Sequence, residues 1–123
     1  MCSLHLHAQI SLKSLTSAYT QNFNTIISSG SSSTLPSGWR FLETGTNANT
    51  SFEANNGSLA TGNTYSYGAT SNSDRGLGAL SSGSVNSFIG ASFKNTSGKV
   101  LKSITITYTG ELWRKGELNR DDK

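Results

Sequence analysis

The chain has 123 residues, a net charge of +3 and 14% charged residues, and its Lys and Arg residues are dispersed over most of its length. These values leave room for one domain with a small core and argue against nucleic-acid binding, which needs a clustered basic surface. Ser, Thr, Asn and Gly supply 60 residues, a composition typical of disordered chains or all-β domains; the eleven aromatic residues favour the latter.

The first nine residues, MCSLHLHAQ, differ from the rest because they hold the only Cys, the only Met and both His residues. Their apolar part is too short to span a membrane. We interpret residues 1–9 as the remnant of a secretory signal peptide, with cleavage between Ala8 and Gln9; a ragged N-terminal tail is the alternative. The module is then residues 10–123, and we expect it to be secreted or displayed at the cell surface.

From Ile10 onward the chain contains neither Cys nor His. This argues against Cys or His nucleophile–base pairs, a serine triad and the usual zinc sites, and no disulfide can form. The acidic residues Glu43, Glu53 and Asp74 could pair as acid and base, but nothing in the sequence sets two of them at the separation a glycosidase needs. We therefore predict no catalytic residue, no metal and no cofactor, and a protein that is not an enzyme.

Short alternating segments predict the first strands. Alternation occurs in AYTQNFN (residues 18–24), in GWRFLETG after the only proline, and in TYSYGA, where Tyr65 and Tyr67 share a face. GLGAL (76–80) is a small apolar strand whose glycines permit close approach. Trp39 is expected in the core. Several short strands separated by turns predict an antiparallel, jelly-roll-like β-sandwich.

A hairpin is the clearest prediction. SFIGASFKN alternates, and KVLKSITITYTG follows after a short turn, with Ile104, Ile106 and Tyr108 on one face and threonines on the other. This is the pattern of half-buried antiparallel strands. Gly98 supplies the turn residue that tolerates a positive φ.

The stretch GELWR has two interpretations. If the strand continues straight past Gly110, Trp113 lies on the polar face, as an exposed platform for a sugar ring. If Gly110 forms a β-bulge, Glu111 and Trp113 turn inward. We favour the second, with Trp113 in the core and Glu111 paired with a buried Arg75, so that Glu111→Ala destabilises the domain strongly.

Several segments also carry a resemblance: LPSGWRFLETGTNANTSFEANNG, TGNTYSYGATSNSDRGLGALSSGSV, IGASFKNTSG and ITITYTGELWRKGE. Together they are similar to an N-terminal β-sandwich module of secreted bacterial proteins, of the kind that precedes lamin-tail, endonuclease/exonuclease/phosphatase or C-terminal sorting domains. The similarity covers about residues 19–117. It implies further strands after the Trp113–Arg114 pair, so that residues 10–123 are an incomplete module.

Three functions follow as hypotheses. The first is a non-catalytic spacer or interaction module of a secreted or surface protein, with other domains of the same parent protein as partners. The second is a carbohydrate-binding module, in which Tyr65 and Tyr67 stack on a glycan, together with Trp39 or Trp113. The third is an accessory domain of a secreted phosphoesterase or nuclease whose catalytic domain lies elsewhere.

Overall fold

The computed structural model describes residues 8–115, which form eight strands and no helix. Strands account for 31% of these residues, and the predicted all-β class is confirmed. The strands are β1 (Ile10–Leu12), β2 (Ser31–Ser32), β3 (Trp39–Thr44), β4 (Phe52–Asn55), β5 (Asn63–Tyr67), β6 (Gly76–Leu80), β7 (Asn86–Ala91) and β8 (Phe93–Asn95). Most of the predicted signal remnant, residues 1–7, lies outside the described residues. Within residues 8–115 no helix is long and apolar enough to cross a membrane.

The strands form three sheets. The largest has the order β2-β4-β5-β6, and two smaller sheets pair β3 with β7 and β1 with β8. Two pairings, β4 with β5 and β1 with β8, are parallel. The prediction of a wholly antiparallel arrangement is therefore wrong in these two places. Only seven residues, 56–62, join β4 to β5, and they suffice because both strands are short.

The core is built around β5. All five of its residues are buried, and Tyr65 and Phe52 have no exposed area. The ring of Phe41 on β3 meets Phe52 edge to face, with centroids 5.8 Å apart, and β5 contacts both β3 and β7. The alternation predicted for β3 and β5 and the small apolar strand predicted at GLGAL therefore correspond to strands, and β5 is buried on both faces.

The first arm of the predicted hairpin is present, but its second arm is not. Gly98 has the expected positive φ of 71°, yet no strand forms between residues 96 and 115. β7 instead pairs with β3, from Trp39↔Ala91 to Thr44↔Asn86, and β8 pairs with β1. The hairpin prediction is wrong because β7 and β8 pair with distant segments of the chain, β3 and β1, and not with ITITYT. Alternation shows that a segment is compatible with a strand but does not identify its partner.

The strand predicted around Tyr19 is also absent. Residues 13–30 contain no strand, and Phe23 takes a left-handed conformation with φ of 60°. Its carbonyl accepts a turn hydrogen bond from the amide of Ile26 at 3.0 Å. The alternation of Tyr19 and Phe23 therefore reflects a local turn in which both rings pack against other aromatic residues.

Candidate functional site

A cavity of about 380 Å³ lies where the start of β6 meets the C-terminal segment. Its lining comes from two distant parts of the chain: Asp74, Arg75 and Gly76 on one side, and Glu111, Leu112 and Trp113 on the other. It therefore holds two carboxylates, a guanidinium and an indole ring. We refer to it as the Trp113 cavity.

The turn between β5 and β6 places Arg75 in this cavity. The amide of Arg75 donates to Oδ1 of Asn24 at 3.2 Å, and the amide of Asp74 donates to Oδ1 of Asn72 at 3.0 Å. Gly68 allows the turn between β5 and β6 to pack closely, because a Cβ at this position would collide with the carbonyl of Asp74 and with the Arg75 guanidinium. The glycine after TYSY is therefore required for packing.

Arg75 is buried, with 3% of its area exposed. Its Nε donates to Oγ of Ser66 at 3.0 Å, its Nη1 donates to the carbonyl of Ala69 at 3.1 Å, and its Nη2 donates to the carbonyl of Ser66. Burial lowers the pKa of Arg75 below its ordinary value. Within residues 8–115 these acceptors are all neutral oxygens, which hold the cation through hydrogen bonds.

Glu111 does not form the predicted ion pair with Arg75. It is exposed, and its Oε2 accepts a hydrogen bond from Nε1 of Trp113 at 2.7 Å. The two residues share the Trp113 cavity, but their described hydrogen bonds go to different partners. The correction has a physical reason: carbonyl and hydroxyl groups at the end of β5 already satisfy Arg75.

Trp113 is half-buried rather than enclosed. Its ring stacks on Tyr67 with centroids 6.2 Å apart and planes 10° apart. Nη1 of Arg114 donates to the carbonyls of Gly57 and Ser58, at 3.3 and 3.2 Å, and anchors this end of the segment. No β-bulge forms at Gly110, since residues 99–110 are not in a strand; Trp113 reaches the domain by crossing the loop at Gly57.

The structure corrects the stacking role predicted for Tyr65 and Tyr67. The two residues are 0% and 6% exposed, so neither presents a ring face to a ligand. Their rings pack together at 5.4 Å, and the Tyr65 hydroxyl donates to the carbonyl of Thr61 at 2.7 Å. Burial raises the pKa of Tyr67 to about 12, with a smaller contribution from Tyr65. Burial, followed by the charges of Glu53 and Glu43, raises the pKa of Tyr65.

The structure places Trp39 in a surface cluster of aromatic residues, which corrects the core position expected from the sequence. Trp39 is half-buried, its Nε1 donates to the Tyr19 hydroxyl at 3.0 Å, and the Phe23 ring meets it edge to face at 4.7 Å. Tyr19 in turn contacts Phe93 edge to face at 5.8 Å. The planes cross at about right angles, so this cluster offers no coplanar platform for a sugar. The sequence signal for this cluster is the presence of two aromatic residues, Tyr19 and Phe23, four positions apart, which the alternation had assigned to a strand.

Within the part of the chain that the structure describes, no group of three or more His, Cys, Asp or Glu residues is placed to hold a metal ion. Comparisons with protein-family models, with curated proteins and with solved structures found no match to this chain. The resemblance to an N-terminal β-sandwich module therefore stays a prediction, and function is argued from the geometry of this chain.

Proposed function

We propose that this chain is a non-catalytic β-sandwich module of a secreted or cell-surface bacterial protein, and that it acts as an interaction domain. The composition and the all-β strands support a turn-rich module of this kind. One observation carries the interaction role. A stretch in which apolar and polar residues alternate pairs with no strand of the described chain.

This stretch, residues 100–112, is called the docking segment. Its even-numbered positions carry five large apolar side chains, whose residues are between 58% and 85% exposed. They are Val100, Ile104, Ile106, Tyr108 and Leu112. The intervening positions include three threonines, Thr105, Thr107 and Thr109. Alternation with β-branched residues is the pattern of a strand with one buried face.

An unpaired segment of this kind favours strand addition. Within residues 8–115 no backbone hydrogen bond occupies its N–H and C=O groups, which can form a ladder with an added strand. Alternate side chains can then pack against that partner. Burying apolar surface contributes about 25 cal/mol per Å², so the apolar row favours a covered state. Other domains of the same parent protein are partners that such an edge would accept.

The test is deuterium uptake of the docking segment in the full chain, at a concentration low enough to keep the chain monomeric. The probe is a designed peptide of alternating Val and Thr with Lys at its ends. We expect the peptide to slow exchange across residues 100–112 and to leave β5 unchanged. The control is the same peptide with a central Pro, which cannot donate to the ladder. Equal exchange with and without the alternating peptide would contradict the proposal.

The Trp113 cavity favours carbohydrate binding as a second function. An indole ring can stack on a sugar ring, and the neighbouring carboxylates of Asp74 and Glu111 accept hydrogen bonds from hydroxyl groups. Trp39→Phe leaves Trp113 as the single tryptophan, whose emission can be excited selectively over that of the four tyrosines. We expect its emission to change on titration with neutral oligosaccharides and expect Glu111→Gln to weaken the response; an unchanged emission across the panel excludes this function.

A further inference from the structure

We infer that the partner of the docking segment is a second copy of the same segment, paired antiparallel about a two-fold axis at Ile106. This inference rests on the proposed interaction function and names its partner. The exposed apolar residues of the segment are spaced symmetrically about Ile106. An antiparallel second copy therefore places apolar side chains opposite apolar side chains.

The register follows from placing Ile106 opposite its own copy. Ile104 then lies opposite Tyr108 of the other copy, and Val100 lies opposite Leu112. All five exposed apolar residues of the row are thereby matched with apolar residues. A two-fold contact of this kind is self-complementary, so each pair occurs twice except the one on the axis.

Moving the two-fold axis by one residue in either direction pairs the apolar side chains less well. Centring the axis on Thr105 sets Lys102 opposite Tyr108 and leaves Leu112 without an apolar partner. Centring it on Thr107 sets Lys102 opposite Leu112. Only the register centred on Ile106 places Lys102 opposite Gly110, where no side chain competes for space.

The second face of the paired segments is complementary near the axis, while Leu101 lies opposite Glu111 towards each end. Thr105 lies opposite Thr107 of the other copy, and Ser103 lies opposite Thr109, which are favourable cross-strand pairs. Lys99 comes diagonal to Glu111 of the other copy at both ends, where opposite charges attract. Both residues are exposed in the chain, so each is accessible to its partner. Charge and side-chain pattern thus select the same register.

The test is the mass of the full chain in solution, measured by light scattering at high concentration. We expect the mass of two chains. Ile106→Lys sets two ammonium groups directly opposite each other on the axis, and we expect the mass to halve because like charges oppose pairing. Ser103→Lys is the matched control, since it places each new Lys opposite Thr109 and diagonal to Glu111 of the other copy; it should leave the mass of two chains.

Cross-linking tests the register of the paired segments without depending on the stability of the dimer. In a Cys2→Ser background, Ile106→Cys places two thiols opposite each other on the axis, and mild oxidation should link the copies. Thr105→Cys should link far more slowly, because its opposite residue is Thr107. Rapid linking of the Thr105→Cys variant, or a dimer insensitive to Ile106→Lys, overturns the inference.

The same measurements separate this inference from the proposed function. A chain that stays monomeric at high concentration overturns self-pairing. If the Val-Thr peptide still protects residues 100–112 in that chain, the interaction function stands with a different partner. If neither the peptide nor a second copy protects the segment, both proposals are wrong.

Discussion

The carboxylate of Glu43 is tied to Thr64, 21 residues away, through two hydrogen bonds to one oxygen. Oε1 accepts from the Thr64 amide at 2.7 Å and from the Thr64 hydroxyl at 2.8 Å, while Oε2 accepts from the amide of Asn49 at 3.1 Å. Glu43 and Thr64 are both buried. A single side chain on β3 therefore satisfies polar groups of β5 and of the loop after β3.

Removing this carboxylate should destabilise the domain. Glu43→Ala removes the shared acceptor of the buried Thr64 amide and hydroxyl, which within residues 8–115 keep only Asn63 Oδ1 and Ser87 Oγ as partners, and we expect a loss of about 1–3 kcal/mol of unfolding free energy. Urea denaturation measures the loss. Glu53→Ala is the control, because Glu53 is exposed on β4, and it should change stability by less than about 0.5 kcal/mol. Equal losses for the two variants would contradict the role assigned to Glu43.

Arg75 and Glu111 should differ sharply in their effects. Arg75→Ala removes a buried cation that donates to Ser66 and Ala69, and we expect a loss of about 3 kcal/mol. Glu111→Ala removes an exposed group bonded to the indole of Trp113, and we expect a loss below about 1 kcal/mol. The two variants are compared by thermal and urea unfolding. A strong destabilisation by Glu111→Ala would instead support the buried Arg75–Glu111 ion pair expected from the sequence.

Tyr67 should make the domain sensitive to high pH. Its pKa in the folded chain is raised to about 12, whereas an unfolded tyrosine titrates near 10. The unfolded state therefore loses its proton first, so this contribution to stability is complete below about pH 10 and is lost as pH rises towards 12. Urea denaturation across this range should show falling stability. The slope should be shallower in Tyr67→Phe, and an identical slope in both proteins would be evidence against the assignment.

Gly68 should tolerate no side chain. In Gly68→Ala the new methyl group meets the Asp74 carbonyl and the Arg75 guanidinium, so we expect a loss of about 2 kcal/mol or more from the displaced turn. Gly90→Ala is the matched control on β7. No atom lies within 4 Å of a Cβ at Gly90, and alanine there should be neutral or stabilise by about 0.5 kcal/mol. Similar melting temperatures for the two variants would refute this packing account.

The strands that the sequence predicted correctly are short segments whose own residues show the pattern of a strand. Tyr65 and Tyr67 marked β5, Trp39 and Phe41 marked β3, and GLGAL marked β6, because alternation and β-branched or aromatic residues are local properties. The same reasoning misassigned Ile104–Thr109, whose pattern shows that it is compatible with a strand but does not identify its partner.

The site was only partly predictable for a related reason. Arg75 and Glu111 were expected together, and the tertiary structure does bring them to one cavity. Their hydrogen bonds differ from the prediction, because Ser66 and Ala69 approach Arg75 through the turn after β5 and Trp113 engages Glu111. Which acceptor reaches a buried cation depends on how separate segments pack.

The sequence by itself determined the all-β class, the strands at β3, β5, β6 and across β7 and β8, and a chain without Cys or His from Ile10 onward. The tertiary structure decided the pairing of β1 with β8 and of β3 with β7, the burial of Tyr65 and Tyr67, and the exposure of the docking segment. The physical reason is that side-chain periodicity acts over a few neighbouring residues. Hydrogen-bond partners and burial depend on which distant segments pack against a strand.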